Sequence, residues 1–113
     1  MALNIDIGPT LLDAAGLLLP AEMDGESLLP ELKNPDFTGR EAFLMEFWRY
    51  YPENTPSYVG VRTKKYKYIE FERGRKPWLF DLEKDPQELN NIYGAGEGNR
   101  ILPELRALLK QFR

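Results

Sequence analysis

The sequence has neither cysteine nor histidine among its 113 residues. Without cysteine there can be no disulfide, no thiolate metal site and no sulfur nucleophile, while the redox compartment stays open. Without histidine the most frequent general base and a leading zinc ligand are missing as well, so catalysis by this chain alone starts at a disadvantage. Net charge is also small. With 18 acidic and 15 basic residues the balance is -3, too little for a long-range field that would draw the chain to nucleic acid or an anionic membrane. The longest apolar cluster, residues 14–19, falls well short of the roughly 20 residues that span a bilayer. The start lacks a basic segment, an apolar run and a small-residue cleavage site, so no signal peptide is expected. Met1 leads straight into helix-like sequence, as either an excised segment or a native start would. Repeats and low-complexity runs are lacking.

What is present centres on residues 57–86, SYVGVRTKKYKYIEFERGRKPWLFDLEKDP. Residues 58–63 and 66–71 are rich in β-branched and aromatic side chains, and residues 78–82 follow a turn at 73–77 that holds Gly74 and Pro77. This predicts an antiparallel meander. Side chains alternate between faces, so Tyr66 and Tyr68 fall on one face, with Ile69 and Phe71 on the other. Trp78 and Phe80 are set against Leu79 in the same way. A sheet with large side chains on both faces needs a cover on both, and a chain this short can supply one with its last helix but not obviously the second.

The flanks read as packing around that meander. Asn4 is a plausible N-cap for a short apolar helix carrying Ile5, Leu11, Leu12 and Ala15, with Pro9 near its first turn and Gly16 as its stop. Residues 17–37 form an ordered connecting segment with a brief helical stretch at 27–32. Residues 42–48, AFLMEFW, predict the first of four strands, and residues 50–56 an exposed loop. Asp85, Pro86 and Glu88 have the pattern of a helix start, predicting one helical turn. Residues 94–99, with three glycines, read as a flexible connector. Ile101, Leu105, Leu108 and Phe112, widened by Leu102 and Leu109, then recur at helical spacing while Arg106, Lys110 and Arg113 face outward. The expected fold is α+β: a four-stranded antiparallel sheet with a C-terminal helix packed on one face and a short N-terminal helix. At this length one domain is expected, burying roughly two-thirds of its unfolded surface.

Four groups can carry chemistry, each with a plainer structural reading. Arg62, Lys64, Lys65, Lys67, Arg73, Arg75 and Lys76 put seven basic groups in fifteen residues. They can bind phosphate or sulfate, or simply solvate a hairpin and protect a strand edge. Trp48, Tyr50, Tyr51 and Tyr58, with Arg49 among them, can stack on a sugar or aryl ring, or pack in a loop core. Asp81, Glu83 and Asp85 can hold a hard cation, or end a strand and cap a helix. Glu46, in an apolar strand, is either a buried acid or an ion-pair partner.

In order along the chain, NIDIGPTLLDAAG (residues 4–16), DGESLLP (24–30), VGVRTKKYKYIEF (59–71) and LFDLEKDPQELNNI (79–92) resemble the C-terminal part of the sulfatase family. The last two are the most specific. The resemblance implies a small antiparallel subdomain, residues 38–113, preceded by residues 1–37 as the tail of the catalytic-domain region, and docked on a larger α/β domain. That larger domain would supply the formylglycine, made from a Cys or Ser in a C/S-x-P/A-x-R motif, and a calcium ion held by Asp and Asn, with His and Lys assisting. This sequence contains none of those motifs, so no catalytic residue and no metal ligand carries over and the chain alone is expected to be inactive. By analogy with the family, Trp48, Arg49, Tyr50 and Tyr51 would line the substrate cleft. The implied partner is the catalytic domain, with a homodimer through the uncovered sheet face as a further possibility. The alternative is a stand-alone binding module for an anionic glycan or a protein partner. A third reading is an autonomous hydrolase using Glu46 and Asp81.

Overall fold

The computed structural model describes residues 1–49 and 56–113 and divides into two compact units, Met1–Glu41 and Ala42–Arg113. The first unit begins with a 3-10 turn at Asn4–Asp6 that runs into α1 (Ile7–Ala14). Asn4 therefore lies inside the opening turn and is not a cap. Gly16 does stop the helix. Its φ of 70° lets its N–H reach Asp13 O (3.0 Å) and brings Leu17 N to Leu12 O (2.9 Å), the paired bonds of a Schellman ending. After a connecting stretch, α2 (Leu29–Lys33) is a single short helix with Pro30 in its first turn.

The centre of this unit is polar. Asp6, fully buried, accepts backbone N–H bonds from Leu3 (2.7 Å) and Glu26 (2.9 Å) and a two-pronged contact from Arg40. Gly25 makes this closure possible, because a Cβ there would sit 2.0 Å from Ile5 O.

The second unit is the four-stranded meander: β1 (Ala42–Phe47), β2 (Tyr58–Thr63), β3 (Tyr66–Phe71) and β4 (Trp78–Asp81), all neighbours antiparallel in the order β1-β2-β3-β4. The register opposes Leu44, Val61, Tyr68 and Leu79 across the sheet. Leu105 and Leu109 of α3 (Gly96–Gln111) pack on this row and on Val59, forming the core. Tyr68 is fully buried, yet its phenol is satisfied: it donates to Glu70 Oε1 (2.7 Å) and accepts from Arg106 Nε (3.2 Å). Burial, reinforced by the Glu70 carboxylate, pushes its pKa up to about 12. Arg106 thus reaches back to the sheet instead of facing only outward. Phe112 lies just past α3 and is exposed.

The opposite face is an aromatic row. Phe47 stacks on Tyr58 (5.7 Å between ring centres), Tyr58 meets Phe71 edge-on (6.1 Å), Phe71 meets Trp78 (4.8 Å), and Trp78 meets Phe80 (6.1 Å). Both faces are therefore apolar, as alternation required. Burial along this row is uneven, since Ile69 and Phe80 are buried while Trp78 is 39% exposed.

Two expectations fail between β4 and α3. Residues 85–88 form no helix: Glu88 adopts φ 57°, and the Asp85 carboxylate accepts from Asn90 N (2.7 Å), closing a loop. An isolated helical turn is costly to nucleate, and here the backbone gains more by running along the outer edge of β4. Asn91 Oδ1 accepts from Leu79 N (2.9 Å), Asn91 Nδ2 donates to Pro77 O (3.0 Å), and Ile92 N donates to Leu79 O (2.9 Å). Nor are residues 94–99 merely a connector, because α3 already begins at Gly96. Gly98 is there for closeness, since a Cβ would lie 2.0 Å from Ile92 O and 3.3 Å from a Leu79 methyl.

Candidate functional site

Antiparallel registry gathers the chemically interesting residues at one end of the sheet. Tyr58 is opposite both Phe47 and Phe71, so the end of β1, the start of β2 and the turn after β3 meet there. Ser57 ties them together: its Oγ accepts from Arg49 N (3.0 Å), and its carbonyl accepts from Glu72 N (3.1 Å). It is buried, so these bonds form away from competing water.

Two concavities open around this junction. One, of about 190 Å³, is lined by Trp48, Tyr58, Val59, Glu70, Phe71, Glu72 and Arg113. The other, of about 210 Å³, is lined by Arg49, Pro56, Ser57, Glu72, Arg73 and Arg75. Trp48, 60% exposed, presents an aromatic plane of the kind that stacks on a sugar face. Trp48 and Arg49 thus lie next to each other beside these concavities, while Tyr50 and Tyr51 fall outside the described residues.

The basic run divides in two. At the β2–β3 hairpin, Lys65 pairs with Glu83 (3.2 Å), and farther along β3 Lys67 pairs with Glu88 (2.6 Å). The Glu83 carboxylate raises the Lys65 pKa. Both lysines are ion-paired, but Lys67 lies on the inner strand β3 with its side chain only 20% exposed, so it guards no strand edge. Arg73 and Arg75 sit at the other end of strands that, at six residues and about 3.3 Å each, separate the two groups by roughly 20 Å. Arg75 lies over the rings of Phe71 (5.1 Å) and Trp78 (5.8 Å). Arg73 holds φ 60°, ψ 30°, a left-handed conformation that glycine adopts readily and arginine does not. The proximity of Arg73 and Arg75 to Arg49 is absent from any linear reading. Only the equal lengths of β2 and β3 across a two-residue hairpin hint at it.

The acidic candidates do not assemble. Asp81 Oδ1 accepts from Glu83 N (3.0 Å) and Lys84 N (3.2 Å), capping the turn. The strand ends there, so Glu83 no longer shares its face and pairs with Lys65 instead. Among the described residues, no group of three or more His, Cys, Asp or Glu is placed to hold a metal ion. Glu46 is exposed rather than a buried acid, and three strand spacings of about 4.8 Å separate β1 from β4. Glu46 and Asp81 therefore cannot act on one bond.

Comparison with known proteins gives this arrangement its context. All of residues 1–113 match the family model described as N-sulphoglucosamine sulphohydrolase, C-terminal. An N-acetylglucosamine-6-O-sulfatase of Bacteroides thetaiotaomicron is 34% identical over 116 aligned residues, covering 98% of this chain and 21% of the relative. A Delta 4,5-hexuronate-2-O-sulfatase of the same organism is 36% identical, covering 96% of this chain and 23% of the relative. Among solved structures, one in complex with its substrate D-glucosamine-2-N,6-O-disulfate superposes with a TM-score of 0.83 at 34% identity, over 94% of this chain and 22% of that one. The chain spans about a fifth of the length of these relatives. By the match along its whole length and by its four-stranded sheet with helices, the chain belongs to the sulfatase family and corresponds to its C-terminal region.

Proposed function

We propose that this chain works as the C-terminal part of a sulfatase acting on a sulfated saccharide, where it serves as a structural partner of the catalytic domain and borders the substrate cleft through Trp48, Arg49, Tyr50 and Tyr51. The observation that carries the reading is the match of all 113 residues to a C-terminal sulfatase family, with relatives named for O-sulfate groups on N-acetylglucosamine and hexuronate. The apolar decoration of both sheet faces supports it, since a sheet of this kind is suited to packing between two bodies. So does the exposed apolar surface of the first unit, where Ile7, Leu11, Leu17 and Leu18 face solvent.

The hydrolytic chemistry belongs to the catalytic domain. A formylglycine needs a Cys or Ser in its maturation motif, and calcium needs clustered oxygen ligands. The sequence has no such motif, and the described residues offer no such cluster, so neither group fits this chain. What these residues can do is orient a sugar: Trp48 by stacking on it, and Arg49 by hydrogen bonding to an anionic substituent.

The test compares the 113-residue chain with the full-length gene product on N-acetylglucosamine-6-sulfate and a sulfated unsaturated hexuronate disaccharide, reading sulfate release. The full-length product should turn over one of these sugars and the 113-residue chain neither. Trp48→Ala and Arg49→Ala in the full-length product should each raise KM about tenfold with little change in Tm. Turnover by the short chain, or none by the full-length protein, would overturn the reading. A second copy of the chain is the competing cover for the aromatic face. Light scattering that reports a dimer dissociated by Phe71→Asp would favour that copy over the catalytic domain.

A further inference from the structure

We infer that the cleft between the end of β1 and the turn after β3 is an oxyanion site, taking a sulfate or carboxylate group of a polyanionic saccharide on Arg49, Arg73 and Arg75. The saccharide rests on the function proposed above. The oxyanion chemistry rests on the cleft itself.

Three arginines and one glutamate line this cleft, giving it a positive excess in a chain whose net charge is -3. Guanidinium groups are planar forks whose paired N–H donors match the oxygens of sulfate and carboxylate. The ammonium groups of Lys65 and Lys67, already held by glutamates, are point charges without that match. Arg75 is pre-oriented, because its guanidinium is laid over Phe71 and Trp78. A ligand would therefore lose little side-chain freedom on engaging it.

Arg73 is the most telling residue. Its backbone is in the left-handed region at φ 60°, and Gly74 follows at φ 69°. A glycine at both positions would make the same turn without strain. The described residues give Arg73 no hydrogen bond, ion pair or ring contact that would offset the conformation. Strain of this kind concentrates where a side chain has a task. Here the strain lies in the turn that brings Arg73 to the cleft wall beside Ser57 and Arg49. Ser57 Oγ accepts from Arg49 N, which leaves the hydroxyl its own proton to donate to an anion.

The experiment is a calorimetric titration of the 113-residue chain, at about 150 mM salt, with a heparin-derived tetrasaccharide, its desulfated counterpart and neutral chitotetraose. Arg73→Gly keeps the backbone conformation while removing the fork. Arg73→Lys keeps the charge alone, and Lys64→Ala removes a cation at the opposite end of the sheet. The sulfated sugar should bind, with affinity about tenfold lower in Arg73→Gly, partly restored in Arg73→Lys and unchanged in Lys64→Ala. Loss of binding on desulfation assigns the group to sulfate, and retained binding assigns it to carboxylate. Equal effects of Arg73→Gly and Lys64→Ala, binding of chitotetraose as tight as that of the charged sugars, or no binding of any sugar would overturn the inference. Sulfate release by the full-length enzyme is read separately, so failure of this site and failure of the proposed function are distinguishable.

Discussion

Arg40 sets its two terminal nitrogens on the carboxylate of Asp6 at 2.7 and 2.9 Å, joining residues 34 positions apart in the chain. The Asp6 side chain has no exposure and the Arg40 side chain only 9%, so neither charge can turn to water if the other is removed. Arg40→Met would strand a buried carboxylate and should cost about 3 kcal/mol or more, read as a lower urea midpoint.

The same pair determines the acid response. Hydrogen bonding from Arg40 holds the Asp6 carboxyl far below its ordinary value of 3.8. A depressed carboxylate stabilises the fold fully above its unfolded pKa and loses that contribution as pH falls toward its folded one. Stability from this pair should thus be flat from neutrality to about pH 5 and decline below pH 4. Urea midpoints from pH 7 to 2 would show it, and Arg40→Met should flatten the decline.

Tyr68 works in the opposite direction. Its pKa is raised from 10.0 to about 12, so the folded chain keeps a proton that the unfolded chain releases. Stability from this group is full below pH 10 and is lost as pH rises from there to about 12. Tyr68→Phe should remove that alkaline slope, and should also lower stability at pH 8 by about 1 kcal/mol through the hydrogen bonds to Glu70 and Arg106 that it removes.

Glycine has opposite value at two nearby positions. Gly98→Ala drives a methyl group to 2.0 Å from the Ile92 carbonyl and should cost about 1 to 3 kcal/mol. Gly96→Ala meets nothing within 4 Å and should be neutral or stabilise by up to about 1 kcal/mol. Thermal melts of the two variants should therefore shift in different directions or by clearly different amounts.

At Arg73 the backbone itself is the test. Replacement by glycine relieves a left-handed arginine and should raise stability by about 1 kcal/mol, seen as a higher Tm, in the same variant that weakens oxyanion binding.

The strands and the last helix were legible because their side chains repeat at periods of two and about 3.6, which also revealed that Tyr68 and Ile69 must face opposite ways. The segment at 85–99 was misread because its local signals, Asp85-Pro86 and three glycines, are shared by helix starts and flexible connectors. Asn91 clasping β4 and Gly98 meeting Ile92 are contacts between elements that no local pattern encodes. For the same reason Asp6 and Arg40 carried no mark of their pairing. Trp48 and Arg49 could be singled out by residue type and family resemblance, and Arg73 and Arg75 as part of the basic run, whereas the nearness of those two arginines to Arg49 follows only from strand register.

The clasp of Asn91 and Ile92 on Leu79 has a last consequence. It occupies the outward backbone of β4 at Leu79, so of the two outer strands, β1 and β4, β1 (Ala42–Phe47) is the one that carries no such clasp among the described residues. Any lengthening of this sheet, whether by a recruited peptide or by runaway stacking of partly unfolded molecules, would begin more readily at that outer strand. A lysine or proline placed there is the substitution to choose when solubility limits handling.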